Sequence, residues 1–394
     1  MMRVLTFFIS FVTICFGAEF NDVFEKALNR SPNLLAKQEK ILASRQALKS
    51  EVTYKNPIIS IGVDGLSLNK NFFKMDLEPM QTQFIGITQE FETFGKLDLK
   101  EAILKADTLM LEYELEDFKL ELYKKIALVV EQISTFTTSI ELLEQKKFNL
   151  EMLLNYYEKS ISVEDGFKMS VEVQKNIFVV EDKILELEDR VTSLKNEFKY
   201  LTNQDFTQVQ KAQIAEEFLQ EEIKKSPKYR IFEIKTKQLE IQGRLEDRKK
   251  YSNVNLNVSY NRRENFDDYL SVSTSFELPV YGAEEAKVKK AKHLRAESIQ
   301  EENNFMQNMT MIFLNNYKRV EYLNARVQNL DAILQKYRQL NLYEKSNIRD
   351  SATLDKNIEN ENLLLELEIE KLTYKLDIKT AQLELFYITK ERIQ

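Results

Sequence analysis

The stretch Asn253-Val254-Asn255-Leu256-Asn257-Val258-Ser259-Tyr260-Asn261 decides how this chain is read. Every second residue is apolar, and every residue between is Asn or Ser. A period of two is the mark of a β-strand with one apolar and one polar face. The pattern returns at once in Leu270, Val272, Thr274, Phe276 and Leu278, which alternate with Ser271, Ser273, Ser275 and Glu277. It is also present near the N-terminus. Ile59, Ile61 and Val63 alternate with Ser60, Gly62 and Asp64, and Ile85 and Ile87 alternate with Gly86 and Thr88. The expected strands are 57–65, 83–92, 253–261 and 270–279. Segments of about 9–11 residues with one apolar face have the length of membrane-spanning strands, with lipid on one side and water on the other. The expected lipid-facing set is Ile59, Ile61, Val63, Ile85, Ile87, Val254, Leu256, Val258, Leu270, Val272 and Phe276. An amphipathic hairpin on a soluble core would show the same alternation, but no separate domain is evident to cover these four.

Around the strands the period changes. The segment 96–159 contains neither Pro nor Gly, and as one helix it would be about 96 Å long. A helix of that length lies along partner helices as a coiled coil. A matching helix is expected at 283–346, with return helices from Met169 and Ala352 onward. Helical openings are expected from Phe20 and from Phe206. The turns between the long helices and their return helices fall at 160–169 and 346–353. Charged residues make up 30% of the 394, with only 8 Gly and 5 Pro, which suits long amphipathic helices better than a compact α/β enzyme.

The chain repeats itself. Leu154-Asn155-Tyr156-Tyr157-Glu158-Lys159-Ser160 recurs 186 residues later as Leu340-Asn341-Leu342-Tyr343-Glu344-Lys345-Ser346. Phe91-Glu92-Thr93-Phe94-Gly95 is echoed by Leu278-Pro279-Val280-Tyr281-Gly282, and Asn29-Arg30-Ser31-Pro32 by Lys224-Lys225-Ser226-Pro227. Three echoes in one order point to two copies of one unit, 18–204 and 205–394. Each copy reads helix, two strands, long helix, tip, return helix. Four strands per chain leave two open edges, which a bilayer does not tolerate. Three chains would supply twelve strands, an even number that can close, so membrane strands here imply a homotrimer.

Residues 1–17 read as a secretory signal peptide, with Arg3 ahead of a short apolar run and small residues before a cut after Gly17. Cleavage there removes Cys15, the single cysteine, and a lipoprotein cut before Cys15 is the alternative; either way no disulfide is available within the chain. One Cys and one His exclude most thiol catalysis and most Cys/His metal sites. The net charge of −7 gives no basic excess for a nucleic-acid partner. No phosphate loop, HExxH, CxxC or GxSxG pattern occurs. No catalytic residue, metal site or cofactor is therefore expected, and the chain is not read as an enzyme. His293, beside Lys287, Lys289, Lys290 and Lys292, is read as surface.

The Ser31-Pro32 and Ser226-Pro227 helix starts, Asn56-Pro57 before the first strand, Gln89-Glu90-Phe91 with Phe94-Gly95-Lys96 after the second, and Leu278-Pro279-Val280-Tyr281-Gly282 in the second copy together resemble the TolC family of outer-membrane efflux channels. The resemblance covers essentially the whole mature chain. It departs at Glu92, where the family often has Pro, and near Ser160 and Ser346, where it often has Gly. It implies a mainly α chain with a membrane β part. The trimer would close a twelve-stranded barrel in the outer membrane, on an α-helical tunnel in the periplasm. It further implies a periplasmic adaptor and an inner-membrane pump as partners, outer-membrane lipid around the barrel, and passive export of substrates to the exterior. The segment Asp76-Leu77-Glu78-Pro79-Met80 resembles members that work with heavy-metal pumps, so metal cations and organic compounds both stand as substrate classes. A soluble periplasmic coiled-coil scaffold or adaptor is the alternative. The tips would carry the adaptor or pump contacts, with Ser160, Glu164, Asp165, Ser346 and Arg349 as candidates. Asp350 and Asp355 are the candidate constriction, because a trimer presents each carboxylate three times around its axis.

Overall fold

The structure is a computed structural model that describes residues 18–66, 78, 80–159, 164–214, 217–345 and 351–393. The elements run α1 (Phe20–Arg30), α2 (Pro32–Glu51), β1 (Ile58–Asp64), β2 (Thr82–Phe91), α3 (Lys96–Lys159), α4 (Glu164–Thr202), a 3-10 turn (Gln220–Lys225), α5 (Pro227–Arg248), β3 (Val254–Arg262), β4 (Tyr269–Ser275), α6 (Ala283–Lys345) and α7 (Ser351–Thr389). The chain is mostly helical, with one small antiparallel sheet. It divides into two compact units.

The first unit gathers the chain up to Leu35, Glu116–Ser226 and Asn308–Gln394. Phe20 and Phe24 of α1 meet Tyr123 of α3 edge-on, and Tyr123 stacks on Phe386 of α7 at 5.2 Å. Further along, Leu143, Leu150 and Leu153 of α3 pack with Val173, Ile177, Val180 and Leu187 of α4 and with Ile358 of α7. The spacing of three and four residues gives each helix one continuous apolar seam. α3 has one stretch long and apolar enough to cross a membrane, and half of that stretch is buried inside the protein. Ion pairs and hydrogen bonds set α7 antiparallel to α3: Lys124 with Glu384, Tyr387 with Asp117, and Asn149 with Asn362.

The second unit comprises Ala36–Leu115 and Pro227–Gln307. Here α2 lies along α3 through Ser44–Thr108 (2.8 Å) and Arg45–Glu112 (2.6 Å). The amide of Gln238 on α5 donates to Asp107 of α3 at 2.6 Å. α5 meets α6 through Thr236–Ser298 (2.9 Å) and Arg295–Glu240 (2.9 Å). The four strands form one sheet in the order β1-β2-β3-β4, each neighbour antiparallel. The helix order α2-α3-α5-α6 thus matches the strand order.

Local chemistry explains the boundaries. Ser31 Oγ accepts from the Leu34 amide at 3.3 Å, and Pro32 opens α2 where its missing N–H costs nothing. Pro227 opens α5 in the same way. Gly95 and Gly282 precede α3 and α6 with φ of 69° and 71°. A side chain at either would be strained, which is why both long helices start behind a glycine.

Several expectations are corrected. The region 206–219 is not helical, apart from residues 215 and 216, which lie outside the described residues. Asn203 takes a left-handed φ of 53° and ends α4. The chain then runs extended, with Ala18 N donating to Gln208 O and Gln210 N to Ala18 O. The opening helical segment, expected over 20–54 with an interruption or new start at Ser31-Pro32, does break there, and only its end differs, at Glu51. β4 stops at Ser275, which leaves Phe276 outside the strand: the Glu277 carbonyl is taken by the Ser252 hydroxyl, and Pro279 has no N–H to extend a ladder. The tips are tighter than 160–169 and 346–353, since α4 already begins at Glu164 and α7 at Ser351.

Candidate functional site: the sheet, its junction and the tips

Directly opposed residues of an antiparallel sheet share a face, so the register sorts the strand residues. Ile59, Ile87, Val258 and Val272 form one row across all four strands, and Ile61, Ile85, Tyr260 and Leu270 form the next. Leu256 stands in the row of Gln89 and Thr274, Val254 opposite Phe91, and Val63 opposite Gln83. The other face carries Ser60, Gly86, Ser259 and Ser271 in one row and Ile58, Thr88, Asn257 and Ser273 in another. The apolar face is open: Ile61 is 78% exposed, Leu270 69% and Val272 68%. Such a contiguous apolar surface requires lipid or a partner to cover it. Aromatic side chains flank it at both ends. Tyr54, Phe91, Phe94, Tyr251 and Tyr281 lie at the helix side, and Tyr260 and Phe266 at the hairpin side, with Tyr269 at that same end on the opposite face; all are exposed. Two aromatic bands bracketing an apolar band is the layout of a bilayer-spanning sheet.

Between sheet and helices sits a polar junction that sequence reading did not single out. Lys96, the first residue of α3, is 5% exposed. Its ammonium donates to the Tyr251 carbonyl and, at 2.7 Å, to Asn253 Oδ1. Asn253 Nδ2 in turn donates to Glu90 at 2.7 Å, and Lys55 binds the other oxygen of Glu90 at 2.7 Å. Thr93 Oγ1 donates to the Ser252 carbonyl at 2.9 Å, and Lys100 pairs with Glu92. Burial holds the Lys96 ammonium below its usual pKa. This network ties the β2–α3 turn to the α5–β3 turn. Lys96→Met should leave the Tyr251 carbonyl and Asn253 Oδ1 without their donor, at a cost of about 1–3 kcal/mol. Thermal melting followed by circular dichroism checks this; an unchanged midpoint would show that the junction does not depend on Lys96.

At the tips, Ser160, Ser346, Arg349 and Asp350 lie outside the described residues, as do Asp76, Leu77 and Pro79 of the β1–β2 loop. Glu164 and Asp165 form the start of α4. Asp355, near the start of α7, accepts a hydrogen bond from the Tyr157 hydroxyl of α3. Its other carboxylate oxygen is buried without a partner. Burial and the adjacent Asp355 push the Tyr157 phenol well above its ordinary pKa. Among the described residues, no group of three Asp, Glu, His or Cys could hold a metal ion.

No family model matches the sequence, and no curated protein matches it either. Solved structures do. The open-state MtrE outer membrane channel of Neisseria gonorrhoeae is similar over 95% of this chain and 90% of its own, at 15% identity and a TM-score of 0.75. The CmeC outer membrane channel of Campylobacter jejuni covers 95% and 87%, at 13% identity and 0.73. The outer membrane protein VceC of Vibrio cholerae covers 92% and 95%, at 12% identity and 0.71. The chain therefore has the fold of these outer-membrane proteins, along nearly its whole length.

Proposed function

We propose that the chain belongs to the TolC family and is the outer-membrane export duct of a tripartite efflux system. It is not an enzyme: it conducts substrates passively from a periplasmic adaptor and an inner-membrane pump to the cell exterior. In this reading three copies assemble. The free edge of β4 pairs with β1 of the next copy until twelve strands close, because open edges within a bilayer leave backbone groups without partners. The observation that carries the reading is the sheet itself, with two unbroken apolar rows across four strands on one face and mainly Ser, Thr, Asn and Gly, with Ile58, Phe84 and Tyr269, on the other. A soluble scaffold would have to leave that face in water. The element order, with a helix, two strands, a long helix and a return helix occurring twice, supports a two-copy repeat. The likeness to MtrE and CmeC supports the outer membrane as the location and the periplasm as the site of the helices. Metal cations and organic compounds both remain within the substrate range of this reading.

The test is mass measurement in detergent. The purified protein should run as a trimer extracted from outer-membrane fractions. A stable monomer with intact strand signal would overturn the assembly, and recovery in the soluble periplasm would overturn the membrane reading.

A further inference from the structure

The chain carries a net charge of −7, yet one part of the second unit is basic. Residues 240–250 and 283–295 hold nine Lys or Arg against five Asp or Glu. The cations lie where α5 ends and α6 begins, next to the sheet. A groove of about 430 Å³ runs between these two helices. Leu239, Gly243, Val288 and Ala291 contribute its apolar lining, and its charged lining is four cations, Arg244, Arg248, Lys292 and Arg295, against two acids, Glu240 and Asp247. The helices are in ordinary packing contact beneath it, since a Cβ on Gly243 would stand 3.7 Å from that of Ala291.

The acids nearby are already engaged. Glu240 pairs with Arg295 at 2.9 Å and Asp247 with Lys250 at 2.7 Å. Arg244, Arg248 and Lys292 are exposed and form no ion pair among the described residues. On α2 and α3, Arg45 pairs with Glu112, Lys100 with Glu92 and Lys105 with Glu101, while exposed Lys49 has no ion pair among the described residues. The α5–α6 pair carries more such cations, and three of them line one groove. Arg248 is followed six residues later by Val254, the first residue of β3. That stretch spans at most about 20 Å. Exposed Tyr251 and Tyr281 of the helix-side aromatic band lie between.

We infer that the α5–α6 groove binds an anionic phospholipid from the leaflet on the helix side of the membrane, with Arg244, Arg248 and Lys292 holding the phosphate. The inference rests on the membrane-duct reading above. Two features favour a lipid over a soluble anion. The site adjoins the band of interfacial aromatics, and its lining is apolar beneath a cationic rim. An acyl chain and a phosphodiester fit that combination, whereas free phosphate uses only the rim. Guanidinium groups suit a phosphate because they present two parallel N–H donors. Basic residues close to an anionic membrane surface each strengthen binding to it.

The test uses the full-length trimer. It is reconstituted in parallel into phosphatidylcholine vesicles and into vesicles containing phosphatidylglycerol, then extracted gently and analysed by native mass spectrometry. The wild-type protein should retain phosphatidylglycerol in preference to phosphatidylcholine. Arg244→Gln, Arg248→Gln and Lys292→Gln should each lower retention about fivefold, and excess inorganic phosphate should not displace the lipid. Displacement by phosphate would mean a soluble-anion site and overturn the lipid assignment. Equal retention of both lipids by wild-type protein that has inserted into the vesicles would overturn it as well. A triple variant with unchanged lipid retention but altered ion selectivity would place the groove on the water-filled pore and overturn it too. Failure of the wild-type protein to insert into either vesicle would be a different result, because it would count against the duct reading itself.

Discussion

Val258→Arg should prevent assembly of the trimer in the membrane, while Asn257→Arg, one residue away, should leave assembly intact. Val258 stands in the middle of the row Ile59-Ile87-Val258-Val272, at the centre of the apolar face. An arginine at the bilayer midplane of a barrel costs about 2–4 kcal/mol per chain, and a trimer incurs it three times. Asn257 lies in the row of Thr88 and Ser273, on the polar face, and its amide donates to Thr88 Oγ1 at 2.7 Å. Its replacement loses one neutral hydrogen bond, worth about 1 kcal/mol, and would place a cation in the water-filled interior of the proposed barrel. That variant should assemble and change conductance instead. The measurement is the yield of heat-resistant trimer in outer-membrane fractions. The contrast matters more than either value. Equal assembly of the two variants would mean that the two faces of the sheet do not meet lipid and water, and the barrel reading would fall.

Legibility of the fold in the sequence depended on how local each cause is. The strand faces were legible because period two is a property of a few consecutive residues. Leu256 and Val258 can only point one way once Asn255 and Asn257 point the other. The helix starts at Pro32 and Pro227 and the glycines at 95 and 282 were legible for the same reason: cap chemistry is written within four residues. The extended run after Asn203 was not. Its cause is a left-handed asparagine, which resembles any other polar residue in sequence, and a bridge from Ala18 to Val209 that joins distant parts of the chain. The order of the sheet was also beyond local reading. Each hairpin is suggested by its own alternation, but pairing β2 with β3 unites residues as far apart as Gln83 and Arg262. The Lys96 junction was hidden likewise, since its partners Tyr251 and Asn253 lie 155 and 157 residues away. Among the candidate tip residues, only the surroundings of Asp355 can be set against expectation. It is not a bare acid on a helix face, because Tyr157 holds one of its oxygens.

That contact shapes the second large effect. With Asp350 and Asp355 both changed to Asn, the trimer should lose much of its cation selectivity and its block by multivalent cations. In the proposed trimer, two acids per chain would become six around one axis, and a ring of like charges in a narrow, low-dielectric passage concentrates counter-ions. Asp355 would act through its charge and not by touching the ion, because Tyr157 holds one of its oxygens and the other is buried. Exposed Lys356 is the neighbouring charge that could offset it. Single-channel recording of purified trimer measures both properties. Tyr157→Phe is the companion variant, since it removes the hydroxyl that binds Asp355 but keeps every carboxylate. It should preserve the multivalent block. Loss of block in Tyr157→Phe to the same extent as in the double Asn variant would mean that packing between α3 and α7, not charge, governs ion passage. Unchanged selectivity and block in the double variant would remove both acids from the constriction and leave Asp355 as a helix-start carboxylate held by its tyrosine.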